Sequence, residues 1–287
     1  GIIVPERAEY LRVLAAELCR IGSHLIGLGS LNNDMGASTP FVHAIREREA
    51  INDLFESLCG ARLTFNYVRI GGVSFDLPEG FIKKARAFLK HFEPIIDEYS
   101  RLIVDNKIFI ERLANIAIIS KEEAINYGLV GPNLRGSGVK FDVRKDDAYS
   151  VYPQLKFNVP VGTGRGGTLG DCFDRNDVRV QEMRESVHIC QQCLDWLEKH
   201  PGEPIQAAVP RKPKPPVGEV YVRIEAPRGD LGYWLVSDGT ELPYRLRCRT
   251  GSFTAMGIFE NVSPGLMIAD LVALIGSFDI VAPEIDR

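Results

Sequence analysis

An apolar residue recurs at alternating spacings of three and four from Leu11 through Leu14, Leu18, Ile21 and Leu25 to Leu28. That spacing keeps every one of these side chains on a single stripe of an α-helix, which other elements must cover. Pro5 suits the first turn, where its missing N–H costs nothing. The same period returns in Phe81, Ala85, Phe88, Phe92, Ile95, Tyr99 and Leu102, with Pro94 expected to kink the helix. It returns again in a long helix from about Asp174, through Val180, Met183, Val187, Cys190, Leu194 and Leu197. A helix is also expected from about Thr39–Pro40 to Cys59, stopped by Gly60, and short ones over Ile108–Asn115 and Lys121–Tyr127. The pattern predicts a helical bundle.

Other segments break that period. Gly27 and Gly29 are expected to end the first helix, leaving Ser30–Thr39 as a loop. Leu63–Asp76 reads as a short extended piece and a turn, and 128–170 as a Gly-rich loop-and-strand region. Six prolines between Pro201 and Pro216 predict a stiff exposed linker. After it the period falls to two: Val220, Val222 and Ile224 alternate with charged residues, and Tyr233–Val236 and Tyr244–Arg249 follow across turns. That is an antiparallel meander. A last helix is expected from about Pro264 to Ile275, ended by Gly276 and followed by a buried apolar tail. The expected organisation is a bundle over 1–127, the loop-and-strand region 128–170, a long bundle helix 171–200, the linker 201–218, and meander, helix and tail over 219–287. The fold class is multi-domain α and β: mainly an α-helical bundle with a smaller antiparallel α+β part.

Composition narrows the function. Hydrophobic content of 45% and charged content of 25% in 287 residues are ordinary globular values. A net charge of −4 gives no field to hold a polyanion, which argues against nucleic acid. No apolar run reaches the roughly 18–20 residues that span a bilayer; Leu266–Pro283 is broken by Asp270, Gly276 and Asp279. Six irregularly spaced Cys do not form a secreted disulfide framework, and no signal peptide is visible, so a soluble cytosolic chain is expected.

Several motifs dissolve on inspection. Gly162-Thr163-Gly164-Arg165-Gly166-Gly167 fits a dinucleotide-binding string, but Pro160 spoils the preceding strand and Leu169-Gly170-Asp171 delays the helix. It is expected to be a flexible loop. Cys190 and Cys193 have metal-ligand spacing, but both lie inside a helix with no second pair, so they read as core thiols. His24, His43, His91, His188 and His200 are scattered and read as helix-face or surface residues. Arg228-Gly229-Asp230 reads as a turn between strands. Asp34 is different. In an Asn/Gly loop between apolar helices it could cap the next helix, tune a histidine or relay a proton, and composition favours the cap.

Longer strings carry a resemblance. ERAEYLRVLAAEL (Glu6–Leu18), GARLTFNYVRIGGVSFDLPEG (Gly60–Gly80), EEAINYGLVGPNLRGSGVKFDVRK (Glu122–Lys145) and GDCFDRNDVRVQEMRES (Gly170–Ser186) are similar to the D-type large subunit of respiratory complex I, NADH:quinone oxidoreductase. So are EAPRGDLGYWLVSDG (Glu225–Gly239) and IADLVALIGSFDIVAPEIDR (Ile268–Arg287). The matches run the length of the chain in order. The resemblance implies a hydrogenase-large-subunit-like fold. Nickel–iron hydrogenases close their metal site with Asp-Pro-Cys-x-x-Cys. Here the string is Asp279-Ile280-Val281-Ala282-Pro283-Glu284, with Val281 and Glu284 where the thiolates would stand, so no metal is expected.

The resemblance implies a subunit that helps to form a quinone cavity beside the 4Fe–4S cluster of a small iron–sulfur subunit. A C-type subunit and membrane-arm subunits would be its other partners, quinone its substrate, and the cytoplasmic face of the cell membrane its peripheral location. NAD would be bound elsewhere in the complex, and relatives also draw electrons from reduced deazaflavin or ferredoxin. The family's quinone-site His and Tyr are expected upstream of Glu6, outside this chain, which resembles the C-terminal three-quarters of the family. Isolated, it is not expected to turn over. Asp34 matches the Asp that hydrogen-bonds that His, reversing the composition-based preference. Ser30, Ser38, Phe41 and Val281 map to the cavity lining, and Ser38 replaces a Met common in the family. Two other classes stay open: a non-redox structural subunit, and the large subunit of a membrane-bound hydrogenase-like complex.

Overall fold

The computed structural model of the chain describes residues 2–212 and 214–286. Gly1, Pro213 of the expected linker and Arg287 of the closing segment lie outside the described residues. More than half of the described residues are helical, and two small antiparallel sheets occur among them.

Helix α1 (Glu6–Asp34) is the central rod, packed against α2 (Ser38–Cys59) on one side and α8 (Cys172–Lys199) on another. Its stripe Leu11, Leu14, Leu18, Ile21, Leu25 and Leu28 is buried throughout, as is the α8 stripe from Val180 to Leu197. Helix α2 ends at Gly60, which takes the left-handed conformation with φ 73°. The expected end of α1 is corrected: the helix runs through Gly27 and Gly29 to Asp34, and the loop shrinks to Met35–Ala37. Neither glycine ends the helix because both serve close approach. A Cβ on Gly27 would lie 2.8 Å from a carboxylate oxygen of Asp279, and one on Gly29 3.0 Å from the Phe41 ring.

Helix α3 (Phe81–Tyr99) passes through Pro94 and finishes in a π-helical turn, Ser100–Val104. That widened turn shifts the register, so Leu102 is exposed and Ile103 and Val104 are buried in its place. Helices α4 (Lys107–Leu113) and α5 (Lys121–Asn126) follow as expected, the second with a capping box from Ser120 to Glu123. The strands expected within 128–170 are absent among the described residues. The segment makes short turns instead: α6 (Gly131–Gly136), α7 (Val143–Asp146) and a 3-10 turn, Tyr152–Gln154. Its backbone is fixed by buried side-chain charges rather than by a ladder, a device with no periodicity to read.

Strands β1 (Val68–Arg69) and β2 (Gly72–Val73) form a short hairpin where an extended piece and a turn are expected. The Pro-rich stretch is not a free linker throughout, since the Val73 N–H donates to the Ile205 carbonyl and Gly72 bridges Gln206. The meander consists of β3 (Gly218–Ala226), β4 (Gly229–Ser237) and β5 (Arg245–Arg249), ordered β3-β4-β5. Val220, Val222 and Ile224 are exposed, so the period-two pattern marks the strand without marking a face buried by this chain.

Helix α9 (Gly251–Val262) was not expected from the sequence. Helix α10 (Ile268–Phe278) runs past Gly276, which sits within it because a Cβ there would lie 2.5 Å from Leu31 on α1. A last turn, α11 (Ala282–Ile285), has no buried residue, and Asp279 is the buried part of the tail. No helix among the described residues is long and apolar enough to cross a membrane.

Candidate functional site

A cleft of about 310 Å³ opens between the C-terminal half of α1 and the segment from α10 into α11. Gly27, Ser30, Asp34, Arg228, Asp279 and Val281 are among its lining residues. Ser30, Asp34 and Val281 thus meet in one cavity although some 250 residues separate the first from the last. Ser38 and Phe41 are not among the residues lining it. Ser38 donates a hydrogen bond to Asn33 at 3.1 Å, and Phe41 packs against Gly29 on the far side of the α1–α2 corner.

Asp34 is the last residue of α1 and is exposed. It does not cap α2, whose first turn follows Ala37 without a side-chain cap. Among the described residues no hydrogen bond or ion pair holds its carboxylate. A helix C-terminus carries partial negative charge, so an acid there is mildly unfavourable. The fold therefore gains nothing from Asp34.

The opposite wall is built firmly. Asp279 is buried in the left-handed region, φ 54°, and one of its carboxylate oxygens has no hydrogen-bond partner among the described residues. Arg228 clasps it, Nε donating to its carbonyl at 2.8 Å and the guanidinium to its carboxylate at 3.2 Å. The Ser252 hydroxyl accepts from the Val281 N–H at 3.3 Å and donates to Glu284 at 2.7 Å. Arg228 of the Arg-Gly-Asp string is therefore an internal strut. It also borders a second, mainly apolar cleft of about 340 Å³ between α1 and α2, lined in part by Cys19, Phe55 and Phe65.

Behind the cleft lies a cluster of charges that sequence reasoning missed. Glu17 receives Arg144 at 3.1 Å, Arg20 at 3.2 Å, the Tyr152 hydroxyl at 2.6 Å and the Ser186 hydroxyl at 2.7 Å. Arg135 reaches Glu182 at 2.7 Å and Glu225 at 2.9 Å, and Arg144 holds Asp142 at 2.6 Å. All of these side chains are essentially inaccessible to water. Burial alone would raise the Glu17 carboxyl, but Arg20, Arg144 and two hydroxyl donors outweigh it and bring the pKa down to about 2. Burial raises Glu225 above its ordinary range, and pulls Arg179 down to about 10. The one available signal was spacing: Glu17, Arg20 and His24 fall on the helix positions that the apolar stripe leaves over.

Glu17 sets an acid limit on stability. Its folded pKa lies below the unfolded value of 4.5, so its contribution is present above pH 4.5 and is lost as the pH falls toward 2. The shift corresponds to about 3 kcal/mol. Unfolding free energy should drop steeply between about pH 4.5 and pH 2, and Glu17→Gln should be less stable at neutral pH with a shallower acid limb. Parallel acid limbs in the two proteins would refute this role.

The glycine string is not the flexible loop expected. It wraps the N-terminus of α8, and the N–H groups of Gly164 and Gly170 each donate to the Asp174 carboxylate at 3.0 Å. The anion that such a nest attracts is supplied by the chain itself. Cys190 and Cys193 are buried, and burial pushes both thiols upward, as befits inert core sulfurs. Among the described residues no group of three or more His, Cys, Asp or Glu could hold a metal ion. Val281 and Glu284 on the closing segment supply no thiolate, so a nickel centre does not fit here.

Similarity to known proteins extends along the whole chain. The family model for the respiratory-chain NADH dehydrogenase 49 kDa subunit matches residues 34–213 and 205–287. The chain belongs to this family. A D-type NADH-quinone oxidoreductase subunit of Sorangium cellulosum, the one numbered 2, is 62% identical over 287 residues, covering the whole chain and 74% of the relative. The D-type subunit numbered 2 of Anaeromyxobacter dehalogenans is 60% identical over 286 residues, and that of Chlorobaculum tepidum 46% over 287, with 75% and 72% of those relatives covered. In this 49 kDa-family chain the matched region begins at Asp34 and takes in Arg228, Asp279 and Val281 on the opposite wall of the cleft.

Proposed function

We propose that the chain is the quinone-site subunit of a proton-translocating NADH:quinone oxidoreductase of the complex I type. The observation that carries this reading is the convergence of Ser30, Asp34 and Val281 on one cleft. Its relatives are D-type subunits of NADH-quinone oxidoreductases. The bundle is hydrogenase-large-subunit-like, and it sits peripherally on the cytoplasmic face of a membrane arm. A small iron–sulfur subunit with a 4Fe–4S cluster, and a C-type subunit, are its neighbours. The ligands of that cluster belong to the small subunit. The 4Fe–4S cluster passes electrons to a quinone held beside this cleft.

Within the cleft, Asp34 acts as a positioning residue. Its carboxylate accepts a hydrogen bond from a histidine at the quinone headgroup, holds that ring in one tautomer and stabilises its protonated form. Val281, in place of a thiolate, leaves an apolar wall for the quinone ring. Ser30 offers a hydroxyl at the same mouth, while Ser38 and Phe41 shape the corner behind it.

Asp34→Asn tests this in the assembled complex. Removing a negative charge from the C-terminus of α1 should leave stability unchanged or raise it by about 0.3–1 kcal/mol. Quinone-reductase turnover should fall at least about tenfold, with assembly intact. Near-normal turnover in the assembled variant would sink the role.

A further inference from the structure

His24 lies one turn of α1 before Gly27, the residue that faces the Asp279 carboxylate in the cleft. It is wholly buried, with Nε2 2.8 Å from a carboxylate oxygen of Glu182. Arg135 holds the other oxygen of Glu182 at 2.8 Å, and Arg135, foremost among its charged neighbours, keeps Glu182 ionised against its burial. An ionised Glu182 can only accept, so Nε2 carries the hydrogen and Nδ1 presents a bare lone pair. Among the described residues Nδ1 has no hydrogen-bond partner. A buried nitrogen of this kind is costly to keep, which asks for a reason.

The charges around it are countable. Glu17 and Arg20 come from α1 itself, Glu182, Arg179 and Arg175 from α8, Arg135 from α6, and Asp142 and Arg144 from the α7 turn. Glu225 comes from β3, Arg228 from the β3–β4 turn and Asp279 from the closing segment, while Arg48 of α2 packs against Gly22. In the linked cluster, Glu17, Asp142, Glu182 and Glu225 face Arg20, Arg135 and Arg144, leaving one negative charge in excess. Of these carboxyl groups only Glu225 is pushed above its ordinary range, by its burial. Burial lowers the His24 imidazole below its ordinary range and favours its neutral form. Arg179 feels both Asp279 and His24's partner Glu182, and its Nε is unpaired among the described residues. A change of charge in the cleft therefore reaches His24 through a water-free path, where screening is weak.

We propose that His24 compensates charge for the quinone cleft: its free Nδ1 takes one proton from solvent when negative charge forms on a quinone beside Asp279, and returns it when quinol leaves. The proposal rests on the quinone reading above. Reduction consumes two electrons, which NADH supplies through the complex, and two protons that end on the quinol oxygens. The His24 proton is a further, transient one. An Nδ1–H bond forms on uptake and breaks on release, with no change of oxidation state. His24 touches no substrate and acts by its charge alone.

The test uses the complete complex in native membranes, with quinone-reductase turnover measured across pH. Wild type should lose turnover through one ionisation as pH rises past the point where His24 still takes up a proton. His24→Gln, which keeps an N–H for Glu182, should run flat at the wild-type alkaline level. That level should lie about tenfold below the acid-side turnover, with KM unchanged; tenfold corresponds to about 1.4 kcal/mol of lost charge compensation. A variant that keeps the wild-type limb overturns the proposal. Should His24→Gln fail to assemble, redox-difference infrared spectra of wild-type complex with ring-15N histidine decide: an imidazolium signal on quinone reduction supports it, and none overturns it. Asp34→Asn in the same membranes separates the two readings. Normal turnover there removes the quinone reading, whereas lost turnover beside an unaltered His24→Gln profile removes only the role of His24.

Discussion

Arg135→Met should be among the most damaging single substitutions in this chain. The guanidinium contacts Glu182, Glu225 and Asp142 at 2.7, 2.9 and 3.5 Å, and donates to the Phe141 carbonyl at 2.9 Å. A methionine fills much of the volume but leaves three carboxyl groups facing one another out of reach of water. Removing one partner of a buried pair costs about 3–5 kcal/mol, because the remaining charge is stranded. The midpoint of unfolding in urea should fall accordingly. Adding Glu225→Gln to Arg135→Met should recover about 1–2 kcal/mol, since one stranded carboxyl goes and its bond to the Val143 N–H at 3.1 Å can be kept. A single-variant cost under about 1 kcal/mol would show that the cluster is not what fixes the 128–170 segment.

Gly131→Ala comes second. Gly131 opens α6 with φ 60°, and a Cβ there would lie 2.4 Å from the Gly229 α-carbon, where the β3–β4 turn enters β4. The substitution combines left-handed strain, about 1–2 kcal/mol for a non-glycine residue, with a backbone clash that no rotamer relieves. Overpacking of this kind adds about 1–3 kcal/mol. The meander is seated on the bundle at this contact, and Arg228 of the same turn clasps Asp279. Gly131→Ala should therefore lower the thermal unfolding midpoint by about 5–10 °C. It should also disturb quinone turnover by releasing the cleft wall. An unchanged midpoint would mean that the turn moves aside without cost.

The two variants divide the molecule along the line between what could be read and what could not. The stripes of α1 and α8, the span of α2 with its Gly60 stop, and the order of the meander strands were legible because each rests on a local period or a single turn residue. The 128–170 segment was not legible. Its turns are held by Arg135 and Arg144 reaching carboxylates more than a hundred residues away in Glu17 and nearly fifty away in Glu182. The last turns of α1 failed for a similar reason: Gly27 and Gly29 look like terminators in sequence, and are contact surfaces for Asp279 and Phe41 in space.

The candidate site divides in the same way. Resemblance in sequence singled out Asp34, Ser30 and Val281, and these do line one cleft. Ser38 and Phe41 fall beside it because α1 continues two turns farther than its glycines suggest. In sequence His24 reads as a scattered histidine, since nothing near it in the chain announces Glu182 158 residues later.

The sequence by itself determined the bundle, the late antiparallel sheet and the family, because apolar periodicity and long matched strings are properties of neighbouring residues. Only the tertiary structure decided where α1 ends, which glycines touch what, and how the charges of α1, α6, α8 and β3 meet. Burial makes the difference physically. Out of water each charge must find a partner wherever the chain can bring one, and that pairing has no local signature.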